Sequence, residues 1–154
     1  MQSVQDTYAP NNECFGCGPA NAKGLRIKSV PAPDGDGLVC EWTPEAHHHA
    51  FAMILNGGIC GAILDCHSNW TAAMHLMKAR GLDAPPCTVT SEFTVKLRRP
   101  TPMGAPLKLR AKAVATEGDA VTIEAELEAN GKITATCRGI FVAVKEGHPA
   151  FHRW

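Results

Sequence analysis

One stretch limits the folds open to this chain more than any other. Residues 51–73, FAMILNGGICGAILDCHSNWTAA, form its longest apolar run and begin a helical pattern from about Gly57 to Lys78. Lys78 and Arg80, then Gly81 and Pro85-Pro86, supply a stop. Helical spacing puts Ile59, Ile63, Cys66, Trp70 and Met77 on one side. On another lie Gly58, Gly61, Ala62, Asp65, Asn69, Ala72 and Ala73, all small or polar. A helix that is apolar over most of its circumference must be covered all round. The rest of the chain has to supply a sheet for it, and a second subunit is expected to complete the cover.

The second half of the sequence supplies that sheet. TVTSEFTVKLRR alternates with Val89, Phe93, Val95 and Leu97 on one face, and LKLRAKAVA and VTIEAELEA alternate in the same way. KITATCRGIFVAV alternates up to Gly139 and then turns apolar on both faces, which predicts a bulge or two-sided burial there. The intervening turns, RPTPMG, TEGD and ANG, are short, so neighbouring strands should run antiparallel. A further pair, LRIKSV and LVCEW, flanks PAPDGDG. The expected class is α+β, with one long helix against an antiparallel sheet of five or six strands. At 154 residues this is one domain, 1–154, with an N-terminal loop over 1–23 and a tail over 146–154.

Charge narrows the partners. Fifteen Lys and Arg balance fifteen Asp and Glu, so no overall field favours nucleic acid or an anionic membrane. Asn56, Gly57, Gly58, Asp65 and His67 interrupt the apolar run, and no basic, then apolar, leader opens the chain, so no membrane span or secretion signal is expected. Seven cysteines, an odd number scattered through core segments, suit free thiols in a reducing compartment, which points to the cytoplasm.

The start of the helix carries the candidate chemistry. Asn56 is a good N-cap, and Gly57 and Gly58 leave the first amides unobstructed, offering N–H groups and a positive dipole end to a developing oxyanion. Asp65, two turns on, is positioned as a general base for water or as a nucleophile. The same residues also fit a purely structural role, with glycines for close packing and a hydrogen-bonded buried carboxylate.

These motifs, together with CFGCGPANAKGL at 14–25 and NGGICGAILD at 56–65, resemble the hotdog-fold acyl-CoA thioesterases of the phenylacetate-degradation and 4-hydroxybenzoyl-CoA type, over about Cys14 to Val144. Members commonly carry His-Gly-Gly with an acid nine positions after the His, and counting from Asn56 places that acid at Asp65. The resemblance implies hydrolysis of an acyl-CoA, Asp65 as the catalytic carboxylate, and the Gly58 amide, with Gly57, polarising the thioester carbonyl. It also implies homodimers or homotetramers with sites at subunit interfaces, and an approach of Thr90 and Ser91 from the facing subunit. Asn56 replaces the usual His; it can cap and hydrogen-bond but cannot exchange a proton near neutrality. A hotdog protein that binds acyl-CoA without turnover is the alternative. Hydration of an enoyl-thioester fits less well, because no Asp-x-Asn-x-x-His precedes the helix.

Other residues have two readings each. Ser68 and Asn69 sit one turn after Asp65, placed either to bond it or an acyl group, or to pack the helix. Arg98 and Arg99, with Lys96, Lys108, Arg110 and Lys112, form a basic cluster that either holds coenzyme A phosphates or is simply solvated. Trp42, Phe51, Met53, Trp70 and Met74 are candidates for an acyl pocket or for core packing. Cys14 and Cys17 have no second close pair, and the histidines at 47–49 lie at no standard ligand spacing. No metal and no cofactor is therefore expected.

Overall fold

A computed structural model describes residues 1–154. Its elements are α1 (Val4–Tyr8), β1 (Ser29–Pro31), β2 (Leu38–Trp42), β3 (His49–Phe51), β4 (Ile54–Leu55), α2 (Gly57–Arg80), β5 (Thr88–Leu97), β6 (Leu107–Glu117), β7 (Ala120–Ala129) and β8 (Lys132–Ala143). Six strands form one antiparallel sheet in the order β1-β2-β6-β7-β8-β5, and β3 and β4 make a separate small hairpin. The sheet packs against α2 mainly through β5, β6, β7 and β8.

The helix begins and ends where its sequence says. The Asn56 side chain accepts a hydrogen bond from the Ile59 amide, and Gly81 closes the helix in the left-handed conformation at φ 62°. Its faces differ from the expected stripes. Ile63 and Trp70 are fully buried, but Ile59, Cys66 and Met77 are only partly so, whereas Cys60, Leu64, His67, Thr71 and Leu76 are deep. The reason is that α2 is covered from more than one side by its own chain. The N-terminal segment adds Val4, Cys17, Leu25 and Ile27 to the core, and Trp154 stacks on Trp70 at 4.5 Å between ring centroids. Part of the cover assigned to a second subunit is thus intramolecular.

A bulge in β5 changes the expected face pattern. Thr90 pairs with Phe141 and Glu92 with Ile140, so Ser91 is the extra residue. Before it, Thr88 and Thr90 face the helix; after it, Val95 and Leu97 do. Val89 therefore does not share a face with Phe93, Val95 and Leu97, because a bulge shifts the period-two alternation by one. The irregularity expected in β8 at Gly139 falls in the partner strand. A Cβ at Gly139 would come within 2.8 Å of the Phe141 ring and 3.0 Å of the Glu92 carbonyl oxygen, so glycine is required where the two strands crowd.

Candidate active site

Asp65 emerges from the middle of α2, half-buried, toward β5. Thr90 Oγ1 donates to Asp65 Oδ1 at 2.6 Å. This bond forms within one chain, where the bulge at Ser91 turns Thr90 inward. Ser91 itself is exposed. Burial pushes the Asp65 carboxyl above its ordinary range, the Thr90 hydroxyl pulls it back, the nearby Cys14 sulfur raises it and Arg153 lowers it. Cys137, on β8, lies close enough for the Asp65 charge to act on it, and its thiol is pushed up to about 11, chiefly by burial.

Ser68 and Asn69 do not bond Asp65. Asn69 and Thr88 pair instead: Asn69 Nδ2 donates to the Thr88 carbonyl and Thr88 Oγ1 donates to the Asn69 carbonyl, each at 3.3 Å. Asn69 Oδ1 and Ser68 Oγ are buried with no hydrogen-bond partner. His67 is a core residue held at both ring nitrogens, by Ser29 Oγ at 2.8 Å and by the Leu38 carbonyl at 3.1 Å.

At the helix N-terminus, Asn56 Oδ1 accepts from the Ile59 amide at 3.2 Å, and the Asn56 carbonyl takes the Ile59 and Cys60 amides. The Gly57 and Gly58 amides bond to no acceptor in the chain. A Cβ at Gly57 would meet Leu97 Cδ1 at 2.9 Å, and one at Gly61 would meet Val95 Cγ2 at 4.0 Å, so the small-residue stripe receives the side chains of β5. Phe51, Met53, Phe93 and Leu97 are exposed by 62%, 57%, 42% and 58%, while Trp42 and Trp70 are core. Seven residues of helix separate Gly58 from Asp65, about 10 Å along the axis. One carbonyl cannot sit against both groups of the same chain.

Arg98 and Arg99 leave β5 at the Gly57 end of α2, their amides bonded to the Thr134 carbonyl at 2.8 and 3.1 Å. Arg98 Nε donates to Thr136 Oγ1 at 3.1 Å on the outer face of the sheet, the face away from Asp65. That face is an open groove of about 790 Å³ lined by Lys96, Arg98, Arg110, Lys112 and Arg138 among acidic neighbours. Arg138 is paired with Glu124 and Arg110 with Asp34. Register sets Arg110 opposite Glu126 and Lys112 opposite Glu124.

Sequence spacing missed one cluster. The thiols of Cys14, Cys17 and Cys66 lie within 4.8 Å of one another beside Asp65. The signal was a glycine: Gly16 lets the N-terminal turn press on the helix at Cys66, a contact no periodicity encodes.

Set against known proteins, this architecture is the hotdog fold found in thioesterase superfamily proteins. A thioesterase superfamily protein from Shewanella loihica PV-4 superposes with a TM-score of 0.69 at 24% identity, over 92% of this chain and 99% of that one. The PaaI protein of the Escherichia coli phenylacetic acid degradation operon gives 0.67 at 20% identity, over 82% and 85%. BH2602 from Bacillus halodurans, solved with CoA, gives 0.67 at 19% identity, over 93% and 85%. No protein-family model and no curated protein matches the sequence.

Proposed function

We propose that this protein hydrolyses an acyl-CoA thioester to the free acid and CoA. The observation that carries the reading is a half-buried carboxylate, Asp65, oriented by the Thr90 hydroxyl on the same helix whose first amides, Gly57 and Gly58, are free to receive an oxyanion. The Gly58 amide polarises the thioester carbonyl and stabilises the charge that develops on its oxygen. Asp65 either takes a proton from the attacking water and returns it to the departing sulfur, or attacks the carbonyl itself to form a mixed anhydride that water then hydrolyses; in both cases the sulfur leaves and is protonated to the CoA thiol. Because one chain holds the two groups about 10 Å apart, the site is completed by a second copy, which presents its helix to the exposed apolar surface around Phe51, Met53, Phe93 and Leu97 and to the unpaired edge of β5. The working unit is then a homodimer or a dimer of dimers.

Arg98 and Arg99, at the Gly57 end, are the residues we assign to CoA phosphates. Ser68 and Asn69 have buried oxygens free to receive a donor. The solved neighbour carrying CoA supports this ligand class, and seven unbridged thiols fit a reducing compartment such as the cytoplasm. No helix is long and apolar enough to cross a membrane.

The test is release of free thiol from short, medium, long and aryl acyl-CoAs by wild type and Asp65→Asn side by side. Release by the wild type that disappears in the variant supports the proposal. Binding of acyl-CoA without release by any member of the panel favours the alternative, a hotdog acyl-CoA-binding protein without turnover, for which Asn56 in place of His is the specific observation.

A further inference from the structure

The three thiols of Cys14, Cys17 and Cys66 take no part in that chemistry, yet their arrangement is specific. Cys14 Sγ and Cys66 Sγ are 3.7 Å apart, far wider than a disulfide at about 2.05 Å. Four sulfurs held tetrahedrally at about 2.3 Å from a zinc ion are about 3.8 Å from one another. The backbone before the helix is wound into a tight turn. The Gly18 amide donates to the Cys14 carbonyl at 2.8 Å and closes the turn. Neither Gly16 nor Gly18 can be replaced in that turn. A Cβ at Gly16 would lie 2.4 Å from Cys66 Sγ, and one at Gly18 would lie 2.4 Å from the Asn12 carbonyl oxygen and from the Cys14 nitrogen.

The three sulfurs lie within 4.8 Å of one another, Cys17 buried and Cys14 and Cys66 half-buried. Three thiolates this close repel one another unless a cation lies between them.

We infer that Cys14, Cys17 and Cys66 form a binding site for a single thiophilic divalent ion of the zinc type, with the fourth position taken by water. Cys17 is buried and the other two are partly exposed, which leaves the open position on the solvent side. Binding replaces three S–H bonds with three metal–sulfur bonds and passes up to three protons to solvent; no electron is transferred. The ion ties the N-terminal turn to α2 at the residue following Asp65.

The experiment titrates reduced, chelator-treated protein with Co²⁺ alone, then displaces it with Zn²⁺; no turnover is needed. Expected are one Co²⁺ per chain, thiolate-to-cobalt charge transfer with the visible bands of a tetrahedral site, and proton release on Zn²⁺ addition. Three of the seven thiols should become protected from a thiol reagent. At an ion concentration about 100 times Kd, Tm should rise by roughly 5–10 °C. Cys66→Ser should weaken binding tenfold or more. Cys14→Ser, in a partly exposed turn, is the second variant should the first not fold. Cys40→Ser, at a thiol outside the cluster, should bind as the wild type does. Absence of the charge-transfer band in reduced wild-type protein overturns the inference, as does a band that persists unchanged in Cys14→Ser.

Discussion

Asp65 and His67 lie two residues apart on one apolar helix, and both carry titratable groups where leucine would pack well. Their surroundings differ. His67 is fully buried and satisfied at both nitrogens. Because the Leu38 carbonyl can only accept, Nε2 carries the proton and Nδ1 accepts from the Ser29 hydroxyl, which itself receives Gln5 Nε2 at 3.0 Å. Asp65 is half-buried, has one bond to one oxygen, and is surrounded by thiols and the Arg153 charge. A polar group with all its bonds made holds elements together, here α1, β1, β2 and α2. A polar group left partly unsatisfied beside accessible space is available for chemistry.

The largest test of this contrast is Asp65→Asn. If Asp65 is the reacting carboxylate, thiol release should fall by about 10³-fold or more, while the fold survives. Stability at neutral pH should not decrease, because the substitution removes a charge that burial disfavours. A variant that unfolds while retaining specific activity would reverse the roles drawn here.

His67 should behave in the opposite way, with activity following stability. Burial depresses its pKa to about 4. An unfolded chain with an ordinary His takes up the proton first as pH falls, so this stabilisation is complete above about pH 6.5 and is lost progressively down to about pH 4. The loss amounts to roughly 3 kcal/mol. Urea midpoints measured across that range should fall for the wild type and stay flatter for His67→Gln, whose midpoint at pH 7 should already be lower. An equal slope in both proteins would remove His67 from the acid sensitivity.

Much of this molecule was legible in its sequence. Period-two alternation found β6 and β7, and Asn56 with Gly81 marked the ends of α2. The Asp65 position followed from spacing and resemblance. What escaped was set by tertiary contact. Ser91 is a bulge beside the crowded Gly139, where a Cβ would meet Phe141 and Glu92, and that one extra residue decides that Thr90 meets Asp65. The third thiol, Cys66, is brought to Cys14 by a tight turn that Gly16 and Gly18 permit. The roughly 10 Å between Gly58 and Asp65 was readable from helix rise.

A matched pair of smaller substitutions sharpens the comparison. Ser29→Ala removes one partner of His67 and leaves Nδ1 and Gln5 Nε2 buried and unpaired, so it should cost about 1–3 kcal/mol in urea unfolding, with little change in the pH profile of activity.

Thr90→Val removes the one partner of Asp65. Solvent can replace that hydroxyl at a half-buried oxygen, so the stability change should stay under about 1 kcal/mol. Its signature belongs in the pH dependence. The Thr90 hydroxyl bonds the ionised carboxylate and lowers its pKa; without it the pKa rises further, and the acid limb of thiol release should move to higher pH. Activity at the plateau should change less than activity on that limb. A limb that stays in place, with a stability loss as large as that of Ser29→Ala, would mean that Thr90 and Asp65 form a packing pair like His67 and Ser29, and the distinction between the two sites would disappear.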